Sequence, residues 1–129
     1  MTHAFPVTVF YEDTDMGGIV YHANYLKFIE RARSTWVAEL GVDQLKLKAE
    51  GVIFVVRRIE SDFLAPATLG DQLTVTTETE SQSTARWVLR QCVLRGSDKL
   101  FEALVTVVAM TAQGRPTRLP AELRAQLDV

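Results

Sequence analysis

One stretch of the chain has a clear helical pattern and is too apolar to lie on a surface. From Asn24 to Leu40, apolar residues recur with the period of an α-helix. The apolar stripe comprises Tyr25, Phe28, Ile29, Ala32, Trp36 and Leu40. A helix of this length is about 25 Å long, and Gly41 is suited to end it. Because several stripe residues are large aromatics, other elements have to wrap around this helix.

The chain beyond Gly51 predicts the sheet that wraps the helix. Four stretches there are rich in β-branched and aromatic residues, namely 52–64, 72–79, 86–95 and 99–112. Short clusters of turn-forming residues separate them, as expected between strands. Phe101 to Thr111 is apolar on both faces, which predicts an interior strand covered by the helix on one side and by a partner subunit on the other.

Shorter elements complete the predicted order. Val7 to Tyr11 has the composition of a strand, residues 12–20 that of a loop, and Asp43 to Glu50 that of a short helix. A polar loop is predicted at Gly114 to Pro120, and a short terminal helix at Pro120 to Leu127. This order predicts an α+β fold in which a five-stranded antiparallel sheet wraps around one long central helix.

Size and charge narrow the class of protein. At 129 residues the chain is expected to form a single domain, 1–129, large enough to bury roughly two-thirds of its unfolded surface. The formal net charge of −2 is no basic signal, so no nucleic-acid partner is predicted. The one cysteine, Cys92, excludes an intramolecular disulfide and a cysteine-rich metal site. We interpret it as a small strand residue.

The N-terminus and the hydropathy pattern predict where in the cell the protein is located. Residues 1–9 contain no basic segment followed by an apolar run, so no signal peptide is predicted. No stretch approaches the roughly 20 apolar residues of a membrane span. We therefore expect a cytoplasmic enzyme or binding protein.

The most informative stretch for function runs from Tyr11 to Glu30 and reads Y-E-D-T-D-M-G-G-I-V-Y-H-A-N-Y-L-K-F-I-E. Three carboxylates lie in a turn, two glycines come next, and the helix begins around Tyr21 and His22. The N–H groups at a helix N-terminus bind developing negative charge. A carboxylate beside them can attack an acyl carbonyl or activate a water molecule, so the stretch indicates acyl-transfer chemistry.

The three carboxylates, Glu12, Asp13 and Asp15, are open to other interpretations. Counted from Asp13 as an EF-hand loop, the twelfth residue is Asn24 and not the glutamate that calcium needs. Calcium is therefore disfavoured. Capping of a turn or helix is a plain structural alternative. It suits Glu12 and Asp13, either as solvated groups or as partners of loop amides.

Asp15 differs from the other two carboxylates because a pair of glycines lies just beyond it in the chain. Gly17 and Gly18 permit a tight turn and a close approach to a ligand. The next two residues are apolar and can lead the chain back to a core or a pocket wall. His22 can donate to a substrate, tune Asp15 or cap the helix.

The same stretch, continued to Arg33 as R-A-R, closely resembles the 4-hydroxybenzoyl-CoA thioesterase family of hot-dog-fold proteins. Within that family it is most similar to the Tol–Pal-associated, YbgC-like branch of acyl-CoA thioesterases. F-V-V-R at 54–57 and A-P-A at 65–67 also agree, so the resemblance spans essentially the whole chain. Met16 stands where the branch often has alanine and the wider family proline, a change that removes no functional group.

The resemblance implies a hot-dog fold and an acyl-CoA thioesterase that needs no cofactor and no metal. The family's catalytic aspartate falls on Asp15 and not on Asp13. The backbone N–H that polarises the thioester carbonyl falls at His22, and Tyr11 and the His22 side chain are also implicated around the site. We assign substrate binding to Gly17, Gly18, Ile19, Val20, Tyr21, Arg57 and Arg58. Whether Asp15 is the nucleophile or the general base is left open.

The resemblance also implies partners. Family members are dimers whose sheets join edge to edge, often paired into tetramers, with active sites between subunits. The phosphates of CoA require cations at the pocket mouth, and Arg57 and Arg58 are candidates. As neighbours in a strand they point to opposite faces, so at most one faces a given ligand. Acyl carrier protein and lipid-synthesis proteins are further candidate partners.

Two alternatives to an enzyme remain. One is a non-catalytic module that binds acyl-CoA or acyl carrier protein. Asp15 argues against it, because a pure binder has no use for a carboxylate beside a carbonyl site. The other is a scaffold for envelope or lipid-synthesis partners, which the Tol–Pal association of the branch suggests. Release of product from CoA thioesters separates these functions.

Overall fold

The fold is a long helix packed against one antiparallel sheet. The computed structural model describes residues 1–127. Its helices are α1 (Asn24–Glu39), α2 (Gln44–Ala49) and α3 (Ala121–Arg124). Its strands are β1 (Thr2–Thr8), β2 (Val52–Phe63), β3 (Gln72–Gln82), β4 (Arg86–Arg95), β5 (Asp98–Thr111) and β6 (Pro116–Thr117). A short 3-10 turn covers Tyr11–Asp13.

The strands are ordered β1-β3-β4-β5-β2, and each neighbouring pair is antiparallel. β1 and β2 are the edge strands, and β5 lies between β4 and β2. The predicted α+β architecture, with a five-stranded antiparallel sheet around one long central helix, is thereby confirmed. The short β6 falls where the sequence predicted a polar loop, because Pro116 and Thr117 pair with Met110 and Ala109 of β5.

The first strand lies earlier than predicted. β1 ends at Thr8, which pairs with Gln72, whereas the sequence predicted a strand from Val7 to Tyr11. The chain then enters the 3-10 turn, which the Asp13 carboxylate closes by accepting the Phe10 N–H at 2.8 Å. Strand-like composition does not predict such a turn, because the turn is stabilised by a hydrogen bond from the backbone to the Asp13 side chain.

The apolar stripe of α1 forms the centre of the core, as predicted. Its completely buried residues are Phe28, Ile29 and Ala32. Near its C-terminal end, Trp36 packs against Trp87 of β4 with 5.5 Å between ring centroids. The helix ends at Glu39. Gly41 follows with φ 86°, a left-handed conformation that glycine adopts without strain.

One polar side chain crosses this core. Gln91 of β4 is completely buried. Its Nε2 donates to the Ile29 carbonyl and to Thr77 Oγ1, each at 2.9 Å, and its Oε1 accepts from Arg33 Nη1 at 2.9 Å. These bonds satisfy the buried amide and tie α1 to β3 and β4. Burial lowers the pKa of Arg33, whose guanidinium lies at the edge of the core.

The remaining elements agree with the sequence predictions. Asp43 caps α2 by accepting the N–H of Leu45 at 3.0 Å and of Lys46 at 3.2 Å. Cys92 is a buried residue of β4, and burial raises the pKa of its thiol. α3 lies within the predicted terminal helix. In the described residues, 1–127, no helix is long and apolar enough to cross a membrane.

Candidate active site

The loop between the 3-10 turn and α1 folds back on itself and presents Asp15 near its tip. Thr14 and Val20 form an antiparallel bridge that closes the loop. Inside it, the Asp15 N–H donates to the Ile19 carbonyl at 2.9 Å, and the Gly18 N–H donates to the Asp15 carbonyl at 3.0 Å. Gly18 has φ 79°, a left-handed conformation that disfavours other residues. Glycine at position 18 is therefore required by the turn itself.

The Asp15 side chain is exposed and lies over its own loop. Its Oδ1 accepts the Gly17 N–H at 2.9 Å. A Cβ at position 17 would lie 3.2 Å from that oxygen, tighter than most such contacts. Across residues 1–127, no side chain or backbone group donates to the other carboxylate oxygen of Asp15. That oxygen is available to attack a carbonyl or to take a proton from water.

Asp13 has a different environment from Asp15, although only two positions separate them. It is buried, with 4% of its surface exposed. One carboxylate oxygen accepts the Phe10 N–H at 2.8 Å, and the other accepts from Asn24 Nδ2 at 3.0 Å. Its carbonyl also accepts the Tyr21 N–H at 2.8 Å. Asp13 therefore has the structural role, as a partner of loop amides. Glu12 is exposed.

The start of α1 offers free backbone donors. The helix begins at Asn24, two residues after His22. The N–H groups of Asn24, Tyr25 and Leu26 donate to the carbonyls three residues before them, at 2.8, 3.3 and 3.2 Å. Within residues 1–127, neither the His22 N–H nor the Ala23 N–H donates a hydrogen bond. Two unpaired donors at the positive end of a helix form a site for an anion or an oxyanion.

An apolar groove of about 320 Å³ lies at the start of α1. It is lined by Ile19, Val20, His22, Tyr25, Phe63, Leu64, Ala65 and Pro66. The His22 ring meets Phe63 edge-on with 6.0 Å between centroids, and it lies 4.7 Å from the Tyr21 ring. Deeper in, Tyr25 stacks on Phe101 at 5.0 Å. Burial raises the pKa of the Tyr25 hydroxyl.

The structure thus gathers most of the predicted site residues around one loop and one groove. Ile19, Val20 and His22 line the groove, and Tyr21 packs on His22. Gly17 and Gly18 form the loop tip beside Asp15. Tyr11 is exposed on the 3-10 turn, where its carbonyl accepts the Thr14 hydroxyl at 2.7 Å.

Arg57 and Arg58 lie apart from this groove within one chain. Arg57 lies six residues before Phe63 on β2, or about 20 Å, and Arg58 lies five residues before it, or about 17 Å. Arg58 is exposed and forms an ion pair with Glu60 at 2.7 Å. Arg57 lines a second groove of about 530 Å³. The other residues of that groove are Val55, Ser81, Gln82, Ser83, Ala85, Arg86, Val108, Met110 and Pro116.

Sequence reasoning missed the residues that hold the loop in place. The sequence identifies Asn24 only as a helix residue, yet its side chain binds Asp13. It places Asp71 only in a turn-forming cluster between two predicted strands, yet the Asp71 carboxylate binds Arg95 of β4 at 2.8 Å. Both pairs join positions distant in sequence, so no local pattern could have signalled them. Within residues 1–127, no group of three His, Cys, Asp or Glu side chains is arranged to hold a metal ion.

Comparison with known proteins gives concordant matches. Residues 9–127 match the sequence profile of the thioesterase-like superfamily. The acyl-CoA thioester hydrolase YbgC of Escherichia coli is 40% identical over 124 residues, which are 95% of this chain and 92% of that protein. The acyl-CoA thioesterase YbgC of Haemophilus influenzae is 38% identical over 124 residues, with 95% and 91% covered. A crystal structure of a probable thioesterase from Bartonella henselae has a TM-score of 0.83 and 37% identity, covering 92% of this chain and 98% of that one.

The different environments of the two aspartates predict different effects on stability. Asp13→Ala removes the acceptor of the Phe10 N–H and the Asn24 amide, so it should lower the free energy of unfolding by about 1–3 kcal/mol. Asp15→Ala, at an exposed position, should change it by no more than about 0.5 kcal/mol. Urea denaturation followed by circular dichroism measures both. A larger loss in Asp15→Ala than in Asp13→Ala would contradict the assignment.

Proposed function

The chain belongs to the thioesterase-like superfamily, and on that premise we propose that it hydrolyses acyl-coenzyme A thioesters to a free acid and CoA. Asp15 is the reacting carboxylate, and the free N–H groups before α1 bind the carbonyl oxygen. The observation that carries the proposal is the contrast between the two aspartates. Asp13 is buried and accepts a hydrogen bond on each oxygen, whereas Asp15 is exposed with one oxygen free, in the loop that leads to α1.

The loop pairing supports this division of roles. Asp13 and Tyr21 are joined by a backbone hydrogen bond, and Thr14 bridges to Val20. Asp15 and His22 therefore lie on opposite arms of one ribbon, about three residue steps apart, or on the order of 10 Å. A thioester carbonyl that reacts with Asp15 while accepting the His22 N–H has to lie between these two arms.

The chemistry depends on the electronic character of a thioester. Its carbonyl has less resonance stabilisation than that of an ester and is electrophilic. As the tetrahedral intermediate forms, negative charge on the carbonyl oxygen is stabilised by the His22 N–H. Loss of one such donor typically costs about 10²–10³ in rate. The C–S bond then breaks, and the CoA thiolate leaves and takes up a proton.

Two routes lead to that intermediate. In one, the Asp15 oxygen attacks the carbonyl carbon and forms a mixed anhydride, which water then hydrolyses to restore the carboxylate. In the other, Asp15 takes a proton from a water molecule that attacks directly. Tyr11 and the His22 side chain act around the reacting group. Gly17, Gly18, Ile19, Val20 and Tyr21 form the substrate-facing surface.

We also propose that the chain assembles as a homodimer or homotetramer. β2 is an edge strand of 12 residues, and it carries exposed apolar side chains at Ile53, Val56 and Phe63. An unpaired edge strand is a template for pairing with another chain, and we take a second copy as that chain. Antiparallel pairing about a two-fold axis lays the Phe63 end of one strand beside the Phe54 end of the other. A cytoplasmic location, and acyl carrier protein or lipid-synthesis partners, stay predictions of the sequence.

Light scattering at micromolar concentration should report a dimer or a tetramer. Val56→Asp places a charge on the exposed side of β2, so it should shift the protein toward monomer and lower its activity. Leu45→Asp is the matched control, since Leu45 is exposed on α2, away from that edge. A wild-type protein that stays monomeric would count against a site formed between subunits.

Substrate phosphates should make binding sensitive to salt and to Arg57. The Michaelis constant for acyl-CoA should rise with ionic strength as the arginine–phosphate attraction is screened. Arg57→Ala should raise it by about 3- to 10-fold at low salt. Arg58→Ala should have the smaller effect, because Arg58 is paired with Glu60. Indifference to salt and to both substitutions would instead favour pantetheine on a carrier protein as the substrate.

The sharpest test of the proposed function is Asp15→Asn. The amide keeps the size of the side chain and can still accept the Gly17 N–H, but it is no base and a much poorer nucleophile. The turnover number should fall by at least about 10²-fold. Folding, measured by thermal denaturation, and acyl-CoA binding, measured by calorimetry, should persist.

Two further variants serve as controls for the loss of turnover in Asp15→Asn. Asp13→Asn should retain most activity, because a turned Asn24 amide can donate or accept as the new side chain requires. His22→Ala should fall between the two, because the polarising N–H belongs to the backbone and survives. Near-normal turnover in Asp15→Asn together with an inactive Asp13→Asn would show that the other aspartate reacts.

A further inference from the structure

Residues 65–71 connect the Asp15 loop to the sheet. Ile19 forms a bridge with Thr68, and the Val20 N–H donates to the Ala67 carbonyl at 2.8 Å. The same segment supplies Ala65 and Pro66 to the wall of the groove. Its position therefore decides both where the returning arm of the loop lies and how wide the groove is.

Asp71, the last residue of this segment, holds it in place through its hydrogen bonds. Its Oδ2 accepts the Thr68 N–H at 2.8 Å and Nη1 of Arg95 at 2.8 Å. Its carbonyl accepts the Val9 N–H at 3.0 Å, which anchors it beside the end of β1. One carboxylate thus joins the turn that carries Thr68 to the end of β4.

Arg95 reaches two parts of the segment at once. Besides Asp71, its Nη1 donates to the Pro66 carbonyl at 3.3 Å. The planar guanidinium can hold two acceptors in fixed directions, which the ammonium of lysine does less well. Its side chain is 39% exposed, and ion pairs this accessible add only about 0–1 kcal/mol to global stability. The consequence of the pair is therefore local geometry rather than overall stability.

The Asp71–Arg95 pair persists across the working range of pH. Hydrogen bonds from the Thr68 N–H and from Arg95 hold the pKa of Asp71 below its ordinary value. A carboxylate with a lowered folded-state pKa contributes stability above its unfolded value, and that stability is lost only as the pH falls through the lower folded value. The pair is accordingly intact near neutrality.

We infer that Arg95 and Asp71 are positioning residues for thioester hydrolysis, which hold the returning arm of the Asp15 loop and the Pro66 wall of the groove in register. The inference rests on the proposed function of Asp15. Neither residue contacts the reacting atoms. Each acts through Thr68 and Pro66, and so through Ile19 and Val20.

Arg95→Ala tests this with Arg90→Ala as its matched control. Both arginines lie on β4 and both form ion pairs, but Arg90 binds Glu80 at 3.1 Å and also Glu102, away from the loop. Arg95→Ala should lower the turnover number at least about tenfold with little change in the Michaelis constant, and added guanidinium ion should restore part of it. Arg90→Ala should keep wild-type turnover.

Hydrogen exchange gives a readout independent of activity. The Val20 amide, which donates to the Ala67 carbonyl, should exchange faster in Arg95→Ala and in Asp71→Ala than in the wild type, and at the wild-type rate in Arg90→Ala. This measurement tests the positioning even if the protein hydrolyses no thioester, in which case the proposed function alone fails.

Three results would overturn the inference. Unchanged turnover and unchanged exchange in Arg95→Ala would show that the pair positions nothing. A raised Michaelis constant with loss of its salt dependence, at normal turnover, would make Arg95 a phosphate ligand instead. Equal losses of turnover in Arg90→Ala and Arg95→Ala would assign the effect to general destabilisation.

Discussion

The buried carboxylate of Asp13 joins the end of β1, the Asp15 loop and the start of α1. It accepts the Phe10 N–H on one oxygen and the Asn24 side chain on the other. A buried charge is costly unless it is fully hydrogen-bonded, and here charge-assisted bonds meet that requirement. Because Asp13 accepts these hydrogen bonds, the loop can present a second carboxylate, Asp15, with one oxygen that accepts none.

Different parts of the central helix have different roles. Its apolar stripe fills the core, where Trp36 meets Trp87 and Phe28 is completely buried. Its N-terminal end reaches the surface, where the N–H groups of His22 and Ala23 are left without an acceptor in residues 1–127. The core packing fixes the helix axis, and the axis fixes the direction of those donors. Preorganised donors of this kind need no rearrangement when charge develops in the reaction.

The groove depends on contacts between elements distant in the chain. Phe63, the last residue of β2, packs edge-on against Phe101 of β5 and Tyr25 of α1. The 65–71 segment then returns toward the Asp15 loop, and the hydrogen bonds of Asp71 with Thr68 and Arg95 hold it there. The site is thus assembled from a helix start, a strand end and two loops, each positioned by a different bond.

Much of this arrangement could be predicted from the sequence, and the exceptions share a cause. The period of α1, the four long strands after Gly51 and the helix that begins after Asp43 are local patterns, and the structure confirms them. The position of β1 could not be predicted, because the Asp13 carboxylate, and not strand propensity, decides where the chain leaves the sheet. At the site, the motif around Asp15 indicates acyl-transfer chemistry by itself, whereas the burial that distinguishes Asp13 from Asp15 needs the fold. The Asp71–Arg95 pair spans 24 positions, so only the sheet register brings it together.

A thioesterase turns over its substrate, whereas a binding module only holds it. The most direct measurement is release of free CoA thiol by the purified protein from a panel of CoA thioesters, with short and long aliphatic and aromatic acyl groups. The proposed hydrolysis predicts many turnovers per subunit on at least one member of the panel. Tight binding of acyl-CoA with no release above the spontaneous rate, across the whole panel, would contradict it and leave a binding module.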